Sequence, residues 1–219
     1  MIINIVARSS NLSIKQVAEV ISLVSELCPS IVFKTHYIET KGDKDKKQSL
    51  RDLDKTDFFT HEIDNFILNK KNYIGVHSAK DLPNSIHEDL KVVAFTKGLD
   101  ARDSIVTNKE VSFFELKKGA VVATSSHRRE IMIKSLRSDL KFVDIRGTIE
   151  ERLKILESKK IDGVVIAEAA LIRLNLTHLN RFILDAKTVQ GQGQLAVVAN
   201  KDDKATEDIF SLINYGLIN

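Results

Sequence analysis

Five short polar segments carry side chains that could bind or activate a small molecule. Each stands at the end of a predicted strand and combines hydroxyl, basic or acidic residues. Ligands of open α/β sheets bind at the carboxyl ends of the strands, so these segments are the first candidates for a binding site. They are Arg8-Ser9-Ser10 and residues 75–81 (GVHSAKD), 101–104 (ARDS), 124–129 (TSSHRR) and 145–148 (IRGT).

The segment 124–129 has the clearest physical meaning. The hydroxyls and backbone N–H groups of Thr124, Ser125 and Ser126 at the start of a helix would form an anion site. Arginine in a first helical turn opposes the helix dipole, so Arg128 and Arg129 are easier to explain if an anion lies there. The other explanation is solvated surface charge with ordinary Ser/Thr capping.

Two further arginines repeat this pattern at the next predicted strand and helix in the chain. Arg146 follows the next predicted strand, and Arg152 lies in the helix after it, for which Thr148 is a candidate N-cap. Each guanidinium can bind a carboxylate or phosphate through two hydrogen bonds. Arginines at adjacent strand ends therefore suit a ligand with several carboxylates or phosphates.

Asp81 is the candidate catalytic group. It follows Lys80 at a strand end, before Pro83 imposes an extended or turning backbone. A carboxylate facing a basic cleft is ionised, and it could stabilise a cationic intermediate or relay protons. The alternatives are a surface ion pair with Lys80 or a turn-capping role. His77 is interpreted as a hydrogen-bonded histidine, because no His or Cys stands at metal-ligand spacing from it.

The elements that must position these residues alternate between strands and helices of about 10–15 residues, which predicts parallel α/β sheets. Their number indicates two α/β lobes with a ligand cleft between them, formed by residues 1–98 with 188–219 and by residues 99–187. The charged stretch 39–57 predicts a mobile surface loop. Predicted strands are 2–7, 31–38, 73–76, 104–107, 120–123, 141–145, 163–166, 182–184 and 195–199, and predicted helices are 14–27, 58–67, 128–136, 149–157, 168–174 and 205–217.

The composition excludes several classes of protein. The 219 residues are 43% hydrophobic and 29% charged, which indicates a globular and not a disordered chain. A net charge of only +3 argues against a general nucleic-acid binder. No stretch approaches about 18 apolar residues, and the first apolar run lacks signal-peptide features, which predicts a cytoplasmic protein. The single cysteine, Cys28, leaves no cysteine-rich metal site, and we expect no metal.

In order along nearly the whole chain, these segments resemble those of the porphobilinogen deaminase family, also called hydroxymethylbilane synthases. One segment alone would be a weak match, but the ordered set, led by residues 76–83 (VHSAKDLP) and 124–129, is highly specific. The other matching segments are Arg8-x-Ser10-x-Leu12 with Gln16, residues 40–43 (TKGD), Phe59-Thr60-x-Glu62, residues 100–103 (DARD), Arg146-Gly147 with Arg152-Leu153, and residues 191–193 (GQG).

The resemblance implies two periplasmic-binding-protein-like lobes and an enzyme of haem biosynthesis. Such an enzyme joins four porphobilinogen units head to tail into hydroxymethylbilane and releases ammonia, as a cytoplasmic monomer. Each porphobilinogen carries an acetate and a propionate, which agrees with the arginine-rich cleft predicted from the residues. The implied partners are porphobilinogen and oligopyrrole intermediates, and neither nucleic acid nor a membrane.

The resemblance also assigns roles to individual residues. Asp81 would be the catalytic carboxylate, which bonds the pyrrole N–H groups and stabilises the cationic azafulvene formed as ammonia leaves. A dipyrromethane cofactor would act as primer, held by Ser10, Lys80, Asp81, Thr124, Ser125, Ser126, Arg128, Arg129, Arg146 and Gly147. The substrate would be held by Arg8, Ser10, Arg146, Arg152 and Gln192.

The chain departs from the family pattern in three places, one of which is His127 in place of an apolar residue, together with the absence of the usual Ala-Val before residues 191–193. The family binds dipyrromethane through a cysteine of a third domain, whereas this chain ends where that domain would begin and Cys28 does not match the cofactor motif. We therefore expect a shortened form without covalent cofactor attachment. In the predicted loop, Asp52 and Thr56 stand where the family has lysines, and Lys55 is one place away. The alternative function is a non-catalytic anion- or pyrrole-binding protein that keeps the two-lobed cleft.

Overall fold

The computed structural model describes residues 1–45, 48–49, 51, 56–70 and 72–218. The chain folds into two α/β units. Unit 1 comprises Met1–Lys44, Lys55–Ala101 and Val189–Asn219, and unit 2 comprises Asp45–Asp54 and Arg102–Thr188. Asp52, one of the two positions at which the loop departs from the family pattern, and the nearby Lys55 lie outside the described residues.

Strands and helices alternate through both units. Unit 1 begins with β1 Ile2–Arg8, α1 Asn11–Leu27, β2 Val32–Ile38, α2 Lys41–Lys44, α3 His61–Leu68, β3 Tyr73–Ser78, the 3₁₀ turn Ala79–Asp81 and β4 Leu90–Phe95. Unit 2 follows with β5 Asp103–Thr107, the 3₁₀ turn Phe113–Glu115, β6 Val121–Ala123, α4 His127–Leu136, β7 Lys141–Val143, α5 Ile149–Glu157, β8 Gly163–Ala167, α6 Glu168–Arg173 and β9 Arg181–Leu184. The chain returns to unit 1 with β10 Leu195–Asn200 and α7 Lys204–Ser211. Within the described residues, no helix has the length and apolar character needed to cross a membrane.

The sheet of unit 1 is mixed and has the strand order β2-β1-β3-β10-β4. β1 runs parallel to β2 and β3, whereas β10 runs antiparallel to β3 and β4. Leu195 at the start of β10 is paired with Ser78 at the end of β3. The turn before β10 therefore lies at the same sheet edge as Arg8 and the 3₁₀ turn that ends at Asp81.

Helix α1 follows β1 because the sequence supplies both a cap and an apolar stripe. Ser10 is the N-cap, and its Oγ accepts a hydrogen bond from the Ser13 N–H at 3.3 Å. Val17, Val20 and Val24 recur at helical spacing and are buried in the core with apolar residues of β1, β3 and β10. Burying each valine contributes roughly 1.5–3 kcal/mol. This packing holds Ser10 at the sheet edge.

The sheet of unit 2 has the order β7-β6-β8-β5-β9 and is also mixed. β6 is parallel to β7 and β8, whereas β5 is antiparallel to β8 and β9. Asp103, the first residue of β5, is paired with Ala167 at the end of β8 and with Leu184 at the end of β9. The amino end of β5 therefore lies at the edge where β6 and β8 end.

The prediction of parallel sheets is confirmed for β1, β2 and β3 and for β6, β7 and β8. It is wrong for β10 and β5, which enter their sheets antiparallel. The order of strands and helices shows which elements follow one another but not the direction in which a returning strand pairs. Strand β4 is missing from the predicted elements, and the short helix α2 lies within the predicted loop. Helix α7 is shorter than predicted, since the chain beyond it extends along unit 1 and the Tyr215 N–H donates to Phe95 O at 2.8 Å.

Candidate functional site

The predicted site residues of unit 1 surround a small pocket at its sheet edge. The pocket has a volume of about 60 Å³, and Arg8, Ser10 and Asp81 are among its lining residues. The other lining residues are Leu12, Ser13, Gln16, Phe59, Thr60, Val76, His77 and Ser78. A cationic, a hydroxyl and an acidic side chain therefore share one pocket.

Arg8 is held in one orientation by Asp43. Arg8 Nε donates to the two carboxylate oxygens of Asp43 at 3.1 and 3.2 Å, and Nη2 also donates to Oδ1. The Thr40 N–H and hydroxyl donate to the same carboxylate at 3.0 and 2.9 Å. The guanidinium carbon lies 4.4 Å from the centre of the Phe59 ring. Burial would raise the pKa of Asp43, but the hydrogen bonds and the Arg8 charge outweigh it and lower the pKa, so the carboxylate is ionised at neutral pH.

The turn that carries Asp81 is tied to its neighbours on both sides. Gln16, buried on α1, donates from Nε2 to Ser78 Oγ at 2.8 Å. The Ala79 N–H donates to Gln194 O at 3.0 Å, which joins the turn to the segment before β10. Asp81 itself is half-buried. Its carboxylate therefore stands on backbone that is fixed by α1 and β10.

Lys80 and Gln192 link the same turn to the Gly191–Gly193 segment. Lys80 Nζ donates to Gln192 Oε1 at 3.4 Å, and Gln192 Nε2 donates to Ala101 O at 2.5 Å. Gln192 is buried between two glycines with positive φ. The segment is a tight turn that presents one amide side chain to Lys80.

Gly193→Ala is expected to destabilise unit 1 more than an alanine substitution at a glycine that has positive φ but open space around it. Gly193 has a φ of 93°, and a Cβ there would lie 2.7 Å from the Leu99 backbone oxygen. The matched control is Gly216→Ala, where φ is 72° and nothing lies within 4 Å of the added Cβ. Urea unfolding should show a loss of about 1–2 kcal/mol for the control and roughly 1–3 kcal/mol more for Gly193→Ala. Equal losses would contradict the close approach to Leu99.

A buried histidine and a buried aspartate pack beside the pocket. His77 Nε2 of β3 lies 3.9 Å from Asp64 Oδ1 of α3. Burial raises the pKa of Asp64 from 3.8 to about 6, and burial together with the Arg8 charge lowers the pKa of His77 from 6.5 to about 4. Among the described residues His77 Nε2 has no hydrogen-bond partner, so the prediction of a hydrogen-bonded histidine is wrong for this nitrogen. The imidazole is neutral at neutral pH.

In unit 2, the predicted hydroxyl residues join two neighbouring strand ends. Ser126 is the N-cap of α4 and accepts from the Arg129 N–H at 3.5 Å, and the Ser126 N–H donates to Thr124 Oγ1 at 3.2 Å. Ser125 Oγ donates to Ile145 O and accepts from the Ile145 N–H at 3.2 Å. These bonds connect the segment after β6 with the segment after β7, and each segment carries predicted arginines.

Arg128 and Arg129 share one carboxylate, that of Asp103. Arg128 Nη2 donates to Asp103 Oδ2, and Arg129 Nη2 donates to Oδ1 at 2.5 Å. Arg128 Nη1 donates to Lys187 O at 3.2 Å. Arg128 Nε is buried and has no hydrogen-bond partner within the described part of the chain. A buried N–H of this kind lacks an acceptor, and an oxygen of an anionic ligand would supply one.

Arg146 and Arg152 flank the turn after β7. Arg146 Nη2 donates to Asp45 O at 2.8 Å, and Arg152 Nε donates to Gly147 O at 3.0 Å. Thr148 is the N-cap of α5, which confirms the predicted cap. Both arginines therefore stand beside the start of α5 and are held by backbone carbonyl groups.

Arg51 brings a further cation to this edge of unit 2. Arg51 Nη2 donates to Thr124 O at 2.9 Å and lies 3.0 Å from Glu130 Oε2. Its position falls in the predicted loop, and it is not among the predicted site residues. Nothing in its spacing from the TSSHRR segment indicates this contact.

The structure thus collects the predicted site residues in two sets, one in each unit. Arg8, Ser10, Lys80, Asp81 and Gln192 lie at the edge of unit 1, and Thr124, Ser125, Ser126, Arg128, Arg129, Arg146, Gly147 and Arg152 lie at the edge of unit 2. The two acids that orient arginines, Asp43 and Asp103, are not among the residues predicted to bind cofactor or substrate, although both fall within segments that match the family. Across the described residues, no group of three or more His, Cys, Asp or Glu could hold a metal ion.

Solved structures with the same architecture identify the fold. The chain is similar to a periplasmic substrate-binding protein of an ABC transporter from Coxiella burnetii, with a TM-score of 0.55 and 10% identity over 96% of this chain and 90% of that one. It is also similar to a nutrient binding protein from Burkholderia cenocepacia bound to methionine, with a TM-score of 0.57 and 11% identity over 97% and 90% of the two chains. At such identities the likeness shows the fold alone, which is the periplasmic-binding-protein-like fold of two α/β lobes.

Sequence comparison identifies the family. The family model described as "Porphobilinogen deaminase, dipyromethane cofactor binding domain" matches residues 3–208. Relatives named porphobilinogen deaminase include those of Caldicellulosiruptor saccharolyticus, 42% identical over 81% of this chain and 62% of the relative, and of Syntrophomonas wolfei, 34% identical over 95% and 69%. The chain belongs to the porphobilinogen deaminase family, which confirms the resemblance. It spans 62% of the length of the relatives from C. saccharolyticus and Clostridium botulinum.

Proposed function

We propose that the protein condenses porphobilinogen units head to tail into hydroxymethylbilane and releases ammonia. The observation that carries the proposal is the pocket shared by Asp81 and Arg8, in a chain of the porphobilinogen deaminase family. The partners are porphobilinogen and oligopyrrole intermediates, and the protein acts as a monomer in the cytoplasm.

The donors of unit 2 fit the carboxylates of a pyrrole chain. When bound, dipyrromethane supplies the end to which pyrrole units are added. The buried Arg128 Nε needs an acceptor, and the start of α4 favours anions. We assign cofactor binding to Ser10, Lys80, Asp81, Thr124, Ser125, Ser126, Arg128, Arg129, Arg146 and Gly147, and substrate binding to Arg8, Ser10, Arg146, Arg152 and Gln192.

Asp81 is the catalytic carboxylate of this proposal. Loss of ammonia from the aminomethyl carbon of porphobilinogen leaves a cation that is delocalised onto the pyrrole nitrogen. A carboxylate beside that N–H stabilises the charge, and it can take up the proton that leaves when the new carbon–carbon bond has formed. Because the turn carrying Asp81 is fixed by its hydrogen bond to Gln194, the carboxylate needs little reorganisation during the reaction.

Turnover of porphobilinogen tests the proposal. Purified protein is incubated with porphobilinogen, and the product is followed as uroporphyrin after acid oxidation. We expect porphobilinogen to be consumed and uroporphyrin to appear. Absence of consumption would overturn the proposal, and binding of porphobilinogen without consumption would identify a non-catalytic pyrrole-binding protein.

A further inference from the structure

We propose that Asp103 is a positioning residue for polycarboxylate binding, and that its buried carboxylate holds Arg128 and Arg129 side by side at the edge of unit 2. The inference rests on the proposed function for the nature of the ligand. It adds a residue that acts through the two arginines and does not touch the ligand.

Burial places Asp103 behind the arginines. Its side chain is 0% exposed, whereas those of Arg128 and Arg129 are 29% and 13% exposed. Each carboxylate oxygen accepts from a different guanidinium, so one acid fixes two arginines. A ligand that approaches from solvent meets the arginines first. The antiparallel direction of β5 makes this possible, because it brings the amino end of that strand to the edge where α4 begins.

Two physical effects would separate the arginines without this acid. Both are cations in the first turn of a helix, where the dipole already disfavours positive charge, and they repel each other. Long side chains also gain rotamer freedom when they are released into solvent. The carboxylate offsets one of the two charges and fixes both side chains before a ligand arrives, which lowers the entropy cost of binding.

A positioning role and a simple counter-charge role predict opposite changes in the affinity for anions when Asp103 is replaced by asparagine. If Asp103 only balanced charge, Asp103→Asn would leave a more positive site and an anion would bind more tightly. If Asp103 positions the arginines, the same substitution releases at least one of them, because an amide offers one oxygen acceptor instead of two. An anion would then bind more weakly despite the added positive charge.

Glu168 provides a matched control within unit 2. It is 2% exposed and, like Asp103, pairs with an arginine, accepting from Arg181 Nε at 3.0 and 3.1 Å. It also accepts from Ser104, which points to the opposite sheet face from Asp103 because successive strand side chains alternate. Glu168→Gln therefore reports the cost of disturbing a buried ion pair away from Arg128 and Arg129.

The probe is citrate, a tricarboxylate whose binding does not depend on pyrrole chemistry, measured by isothermal titration calorimetry. We expect Asp103→Asn to weaken citrate binding about tenfold or more and Glu168→Gln to change it by less than about twofold, with a tenfold change corresponding to roughly 1.4 kcal/mol. Arg129→Lys, which keeps the charge but loses the fork of donors, is expected to weaken binding as well. If Asp103→Asn does not fold, Arg129→Lys provides the test, and unchanged citrate binding by this variant would overturn the inference.

Unchanged or tighter citrate binding by Asp103→Asn would overturn the inference, as would a wild-type protein that does not bind citrate. Porphobilinogen turnover is measured on the same preparations. Weaker citrate binding by the variant beside a wild-type protein without turnover would retain the positioning role and overturn only the proposed function.

Discussion

Replacing Asp81 with asparagine is expected to lower porphobilinogen turnover by roughly 10²–10³-fold or more, the range for losing one group that stabilises charge in a transition state. Asparagine keeps the size of the side chain and removes the negative charge that stabilises the cationic intermediate in the proposed reaction. Because Asp81 is only half-buried, the substitution should change the free energy of unfolding by no more than about 0.5 kcal/mol. Uroporphyrin formation and thermal melting, measured on the same samples, separate the two effects.

Asp89→Asn is the control for this experiment. Asp89 also belongs to unit 1, but its carboxylate is 48% exposed and pairs with Lys201 at 2.6 Å. Turnover should stay at the wild-type level in this variant. If the two variants turned over porphobilinogen equally well, the catalytic assignment of Asp81 would be wrong.

The buried pair of His77 and Asp64 predicts two pH profiles of stability with opposite slopes. The pKa of Asp64 is raised from 3.8 to about 6, so between these pH values the folded protein keeps a proton that the unfolded chain releases. The contribution of Asp64 to the free energy of unfolding is therefore lost as pH rises from 3.8 to about 6. The pKa of His77 is lowered from 6.5 to about 4, so its contribution to the free energy of unfolding is lost as pH falls from 6.5 to about 4. In the wild type the two effects largely cancel between pH 4 and 6.

Removing one partner should expose the slope of the other. Asp64→Asn is expected to become more stable as pH rises from 4 to 6, by about 2–3 kcal/mol at roughly 1.36 kcal/mol per pH unit. His77→Gln is expected to become less stable over the same range by a similar amount. Urea unfolding at stepped pH values measures both, with the exposed His178→Gln as control. Parallel profiles for the two variants would rule out the opposed titrations.

Much of the fold is readable from local sequence pattern. Helix α5 has the predicted bounds 149–157, because Thr148 caps it and its apolar residues recur at helical spacing. The direction of β10 is not readable in this way. Val197 pairs with Val76 of β3 and with Ala94 of β4, and these pairings join residues far apart in the chain. Local periodicity determines the type of an element, whereas strand direction depends on such distant pairings.

The site residues also divide into those that local sequence indicates and those that only the folded structure reveals. The unfavourable position of Arg128 and Arg129 in a first helical turn indicates from sequence that an anion lies nearby, and the structure places the carboxylate of Asp103 there. Arg8 is recognisable by its motif, but its partner Asp43 is 35 residues away. Neither acid stands at a spacing that would mark it as a partner, so only the folded sheet edge reveals these pairs.

The place of β10 in the sheet also orders the events of synthesis. β4 ends at Phe95, and β10, which must lie between β3 and β4, begins only at Leu195. At roughly 5–20 residues per second, a ribosome takes several seconds to make the intervening chain. During that time β3 and β4 lack the strand that joins them, while the strands β5 to β9 of unit 2 are made one after another. The sheet of unit 2 can therefore form before that of unit 1. Until β10 is made, the edges of β3 and β4 that pair with it stay unpaired.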